Sequence, residues 1–120
     1  MATPDIVDVA PINAQNSTAL LTGTSRTEAL DVADDKVAKI NKNIVANVDG
    51  TNDPTITVEV SIDNGSNYVA IGKTINVPAN TTLNFLQSPI YLDETDLLYF
   101  TASAANDLTY FVSYELLDDA

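Results

Sequence analysis

The chain has 120 residues, 45% of them apolar, which is enough for one domain with a buried core. Five basic residues face seventeen acidic ones, for a formal charge of −12, and this excludes nucleic acid and anionic membrane surfaces as direct partners, because both need a basic patch. The absence of cysteine and histidine excludes disulfide and thiolate chemistry and removes the usual general base near neutral pH.

Residues 1–18 read as an extended N-terminal arm. Pro4, Pro11 and the polar cluster Asn13–Thr18 argue against core, while Ile6, Val7 and Val9 are placed to dock on a sheet edge or a neighbouring subunit. The segment has neither the basic region nor the apolar run of a secretory leader. The globular domain is expected over residues 19–120. Residues 19–24 and Thr27–Val32 are short strand candidates. Val37–Val48 is a longer one, with Ile40, Ile44, Ala46 and Val48 on one parity. A helix beginning at Asp35 is disfavoured there by Asn41, Asn43, Asn47 and the β-branched content. Three of the five cations, Lys36, Lys39 and Lys42, fall in this stretch.

After the turn cluster at 49–54 comes TITVEVSI, with Ile56, Val58, Val60 and Ile62 on one face and Thr57, Glu59 and Ser61 on the other. Asp63-Asn64-Gly65 is a hairpin turn, since its Asn-Gly step supplies positive φ, and Asn67–Ile71 returns antiparallel. Thr74–Val77, Thr82–Leu86 and Ile90–Leu92 are further strands, separated by Pro78-Ala79-Asn80 and Ser88-Pro89. Residues 97–117 read as two alternating runs joined at Asn106-Asp107. Leu98, Phe100, Ala102 and Ala104 share one face, and Leu108, Tyr110, Val112, Tyr114 and Leu116 share another, so a closing β-hairpin is expected. Roughly eight to ten short strands with turns about every ten residues describe an all-β fold, an antiparallel β-sandwich of jelly-roll type. The expected core is Ile56, Val58, Val60, Ile62, Leu83, Phe85, Leu98, Phe100, Tyr110 and Val112.

Chemistry is sparse. Asp93, Glu94 and Asp96 crowd one turn and offer oxygen ligands for Ca²⁺, but the EF-hand spacing and its glycine are absent, which favours a solvated turn. Asp31, Asp34 and Asp35 form a similar cluster beside Lys36 and Lys39. Serine and threonine are plentiful, yet no histidine activates them. A paired-carboxylate glycosidase needs a cleft with aromatic platforms, and the chain has no tryptophan. No catalytic residue, cofactor or metal site is therefore assigned. In the last hairpin Tyr99 opposes Phe100 and Tyr110 opposes Phe111, so one side faces the core and the other needs cover. Tyr99, Phe111 and Leu117 are the candidate interface residues on that second side, together with Ile6, Val7 and Val9 of the arm. The cover is either a second copy or the arm itself.

The stretch Asp49–Leu117 resembles small virion proteins of tailed bacteriophages. The resemblance is carried by VDGTNDPTITVEVSIDNG followed by Tyr68, by the turn Val77-Pro78-Ala79-Asn80 within INVPANTTLNF, and by IYLDETDLLYFTASAANDLTYFVSYELL. In the last of these Leu92, Asp96, Leu97, Thr101–Ala104, Leu108 and Val112–Glu115 hold the pattern. Thr95 departs from it, since glycine is common before the aspartate. The resemblance implies a β-sandwich, often trimeric, and no catalytic residues.

The first functional expectation is a capsid decoration (cement) protein. It would be made in the host bacterial cytoplasm and sit on the outer capsid surface of the virion, with the major capsid protein and itself as partners. The alternative is a tail, neck or fibre-associated structural protein. A carbohydrate-binding module is a third reading from a different class, and the missing tryptophan weighs against it.

Overall fold

The computed structural model describes residues 9–84 and 86–119, with side chains from Ile12 to Asp118, and the strands follow in chain order. They are β1 (Val9–Leu20), β2 (Thr27–Asp31), β3 (Lys36–Asn47), β4 (Thr55–Ser61), β5 (Val69–Asn76), β6 (Thr82–Asn84), β7 (Ile90–Leu92), β8 (Leu97–Ala102) and β9 (Leu108–Asp119). Two antiparallel sheets pack face to face. One runs β1-β9-β3-β6 with β7 also on β3, and the other runs β2-β8-β4-β5. This strand order is that of a jelly roll, as the sequence pattern predicts.

The connectivity overturns one expectation. Residues 97–117 are not a hairpin: β8 lies between β2 and β4, whereas β9 lies between β1 and β3 in the opposite sheet. The turn at Asn106, whose φ is 66°, carries the chain across the sandwich. Both strands still turn their predicted faces inward. Phe100 stacks on Tyr110 across the interface, ring centroids 4.7 Å apart and planes 13° from parallel. Alternation fixes which face of a strand is apolar and is silent about its neighbour. The hairpin expected at Asp63–Gly65 does form, as β4 and β5, with positive φ at both Asn64 (57°) and Gly65 (88°).

The core joins Ile56, Val58, Leu98, Phe100, Leu108, Tyr110 and Val112 to Leu21, Val32, Ile40, Val45 and Val77. Each large side chain buried there contributes about 1.5–3 kcal/mol. Val60 and Leu83 are half-buried against it, and Phe85 lies outside the described residues. Ile62 is not core: β4 ends at Ser61, and Ile62 is 72% exposed in the turn. Ser61 is buried instead, its Oγ donating to Asp63 and accepting from the Gly65 N–H.

The parity expected along β3 also fails beyond its midpoint. The register slips at Asn41, between Ile40↔Tyr114 and Lys42↔Ser113. One extra residue moves every later side chain to the other face. Ala38 and Ile40 point inward before the bulge. Asn43, Val45 and Asn47 do so after it, which leaves Ile44 and Ala46 on the outer face. A second bulge in β5 merges the two strands expected over 67–77 into one. Thr74 takes φ 46°, and its N–H reaches the Thr57 hydroxyl at 3.0 Å.

At the other end of the chain, Val9–Leu20 is a strand paired with β9, its register shifted between Val9 and Ile12, so the segment read as an arm belongs to the sheet from Val9 onward. The strand expected at 19–24 stops at Leu20. Leu21 plugs the core, and its N–H and carbonyl bond to Leu108 and Asn106.

Candidate assembly surface

The candidate interface residues do not share one face. Because β8 and β9 lie in different sheets, Tyr99 is on the outside of the β2-β8-β4-β5 sheet, while Phe111 and Leu117 are on the outside of the other. Ile6 and Val7 lie outside the described residues. Val9 opens β1 opposite Asp119. β1 runs beside β9 rather than over it, so Val9–Leu20 covers neither outer face.

Tyr99 is half-buried among partners. Its ring meets Tyr68 edge-on, 5.2 Å between centroids at 79°. The Arg26 guanidinium sits 3.8 Å from the centre of the Tyr68 ring and makes a two-pronged pair with Glu59, 2.9 Å and 3.1 Å. The Glu59 carboxylate raises the Arg26 pKa further, and burial raises that of the Tyr99 phenol. Each group in this patch has its contact inside the molecule.

Phe111 is placed differently. The register sets Thr18 and Ile44 on either side of it, with Asn84 beyond. The neighbouring rows on the same face are Leu20, Thr109, Ala46 and Thr82, then Asn16, Ser113 and Lys42, then Ala14, Glu115, Lys39 and Tyr91. Phe111 is 40% and Tyr91 55% exposed. Among the described residues no ring or cation stacks on either. Lys39 and Lys42 project from this face, and neither forms an ion pair among the described residues. Leu117 ends the face beside Val37. It is buried, 9% exposed, and so is not an open contact residue. The surface thus carries Phe111 and Ile44 in one row and Tyr91 two rows away, with Lys42 between them and Lys39 and Glu115 beside Tyr91. Ile44 and Tyr91 escape sequence reasoning. Ile44 is hidden by the bulge, and Tyr91 sits on a three-residue strand too short to show a parity.

The acidic turns serve the backbone. The Asp93 N–H donates to Asp96 at 2.9 Å, the Glu94 N–H to Asp93 at 2.8 Å, and the Asp35 N–H to Glu94 at 2.8 Å. These bonds bracket Thr95, which takes φ 66°. Burial raises the Asp96 pKa, against the bond from the Asp93 N–H. Among the described residues no three acids are arranged to hold a metal. Asn47 organises the far end of the sandwich. Its amide donates to the Asn52 and Val77 carbonyls and accepts from the Asp49 N–H, all within 2.9 Å.

No family model matches the chain, and no curated protein does. One solved structure similar in fold is described as "Bacillus endospore appendages form a novel family of disulfide-linked pili". The likeness covers 100% of this chain and 93% of that one, with a TM-score of 0.53 and 13% identity. At that identity it shows a shared sandwich fold.

Proposed function

We propose that the chain is a non-enzymatic structural protein of a bacteriophage virion, decorating the outer capsid surface through the outer face of its β1-β9-β3 sheet. The observation that carries this reading is the unpartnered strip of Phe111, Ile44 and Tyr91 with Lys39 and Lys42. Exposed rings that no other ring or cation engages among the described residues gain from burial against a second surface. The two lysines, with Glu115 the acid in the same rows, give an acidic partner, such as a capsid subunit, opposite charge to meet. The phage resemblance of Asp49–Leu117 supplies the capsid. Bound copies add interface between capsid subunits and shift the equilibrium toward the intact shell.

A second reading, a tail or filament component, draws support from the fold likeness to a pilus protein over the whole chain. The disulfide linkage named for those pili has no counterpart in a chain without cysteine. Electron microscopy of purified particles decides between the two. Decoration predicts density for this chain on the capsid exterior, and density confined to the tail overturns it.

A further inference from the structure

Sheet edges expose unpaired backbone groups, and proteins blunt them with charge, bulges, proline or short strands. Three of the four edges here are blunted. β2 is five residues long, carries Glu28 and Asp31, and bulges between Glu28 and Leu30. β5 carries Lys73 and the bulge at Thr74. The β6/β7 edge is split into two three-residue strands, with Pro89 before Ile90.

β1 is open from Ile12 onward. It is twelve residues long; Pro11 and a register shift between Val9 and Ile12 blunt only its start, and its register with β9 is unbroken from Ile12 to Leu20. No charged residue occurs between Asp8 and Arg26. From Ile12 to Leu20 only Ser17 is half-buried, its Oγ bonding the Ala29 carbonyl at 2.7 Å; the rest are exposed. Among the described residues nothing pairs with its outer side.

We infer that this edge pairs antiparallel with β1 of a second copy, extending one sheet across a two-fold axis. The choice of occupant follows from charge. In a two-fold contact a strand meets its own sequence reversed, so a charge on it faces a like charge near the axis. β1 is the long edge strand that meets itself neutral throughout, so pairing there sets no acid against its own copy on a chain of charge −12. Main-chain hydrogen bonds supply the affinity of such strand addition. This contact is independent of the capsid reading and leaves the Phe111 face free. It replaces the trimer expected from the phage resemblance with a dimer.

Sedimentation of the full chain over a concentration series tests it. The wild type should move from 12.8 kDa to twice that mass. Asn16→Lys should remain at 12.8 kDa with unchanged circular dichroism and melting. If that variant does not fold, Asn13→Lys, also exposed on β1, takes its place. In this cysteine-free chain, oxidising Ala14→Cys, Asn16→Cys and Thr18→Cys singly should give a covalent dimer, and nothing larger, for at least one of them. A wild type monomeric at its highest soluble concentration, a lysine variant that associates like wild type, or an oligomer that none of the three cysteines cross-links would each overturn the inference. Phe111→Lys should leave the dimer intact, so loss of particle binding and loss of the dimer are separable results.

Discussion

Tyr68 and Phe111 are almost equally exposed, 37% and 40%, on opposite outer faces of the sandwich, yet their surroundings differ. Around Tyr68 the contacts close on themselves. Tyr99 meets the ring edge-on, Arg26 stacks over it, and Glu59 holds Arg26 in place. Around Phe111 the neighbours are Thr18 and Ile44, with Lys42 one row away and without an ion pair among the described residues. Fractional exposure does not separate these two aromatics. What separates them is whether the groups that a π face attracts are already engaged. The first patch closes on itself within the fold, and the second is the surface we propose for assembly.

The comparison presupposes one core shared by both sheets, and the largest effect should come from breaking it. Val58→Asp places a charge among Phe100, Ile56 and Val112 and should remove all or most of the roughly 5–15 kcal/mol of a domain this size. Aromatic near-ultraviolet signals of both faces should vanish in one transition; their separate loss would mean the sheets fold independently. Asn43 probes the inner side of the open sheet. It is fully buried by the β3 bulge, and neither atom of its amide has a hydrogen-bond partner in the protein. Asn43→Leu should therefore stabilise the fold by about 1–2 kcal/mol in urea unfolding. A destabilised variant would show that the amide is satisfied.

Smaller effects sharpen the contrast between the faces. Tyr99→Ala should cost about 1 kcal/mol for the lost edge-on contact. Phe111→Lys should stay within about 0.5 kcal/mol, the usual range for a surface change. Equal losses would erase the distinction. The smallest effect is with pH, and two acidic turns carry opposite signs. Asp63 is held below the ordinary 3.8 by the side chain and N–H of Asn67 and by Ser61, so its stabilisation is present above that pH and is lost as pH falls through its lowered pKa. Asp96 is raised by burial, so the folded state takes up a proton first. Stability due to this group rises as pH falls through its raised pKa toward 3.8. Melting curves of Asp63→Asn and Asp96→Asn against wild type should diverge in opposite directions on acidification.

Much of the fold was legible in the chain, because burial follows local periodicity. Ile56 and Val58, Leu98 and Phe100, and Leu108, Tyr110 and Val112 are all buried where alternation places them. Pairing is not a local property. The runs around Asn64-Gly65 and Asn106-Asp107 look alike in sequence, yet one closes a hairpin and the other crosses between sheets. Parity survives only while the register holds, and Asn41 carries no signal that it is an extra residue. The candidate site inherits both limits. Phe111 was visible as the outward partner of Tyr110. Tyr99 shares that surface only if the two runs form a hairpin, and the bulge at Asn41 turns Ile44 to the face opposite the one its alternation predicts.

Binding of purified protein to capsids that lack it, compared between Phe111→Lys and Tyr99→Lys, tests the assembly surface most directly. Both changes place a cation on an outer aromatic, one on each sheet. With circular dichroism confirming that each variant is folded, the account predicts loss of binding for Phe111→Lys and wild-type binding for Tyr99→Lys. Full binding by Phe111→Lys, or equal loss in both variants, would contradict it.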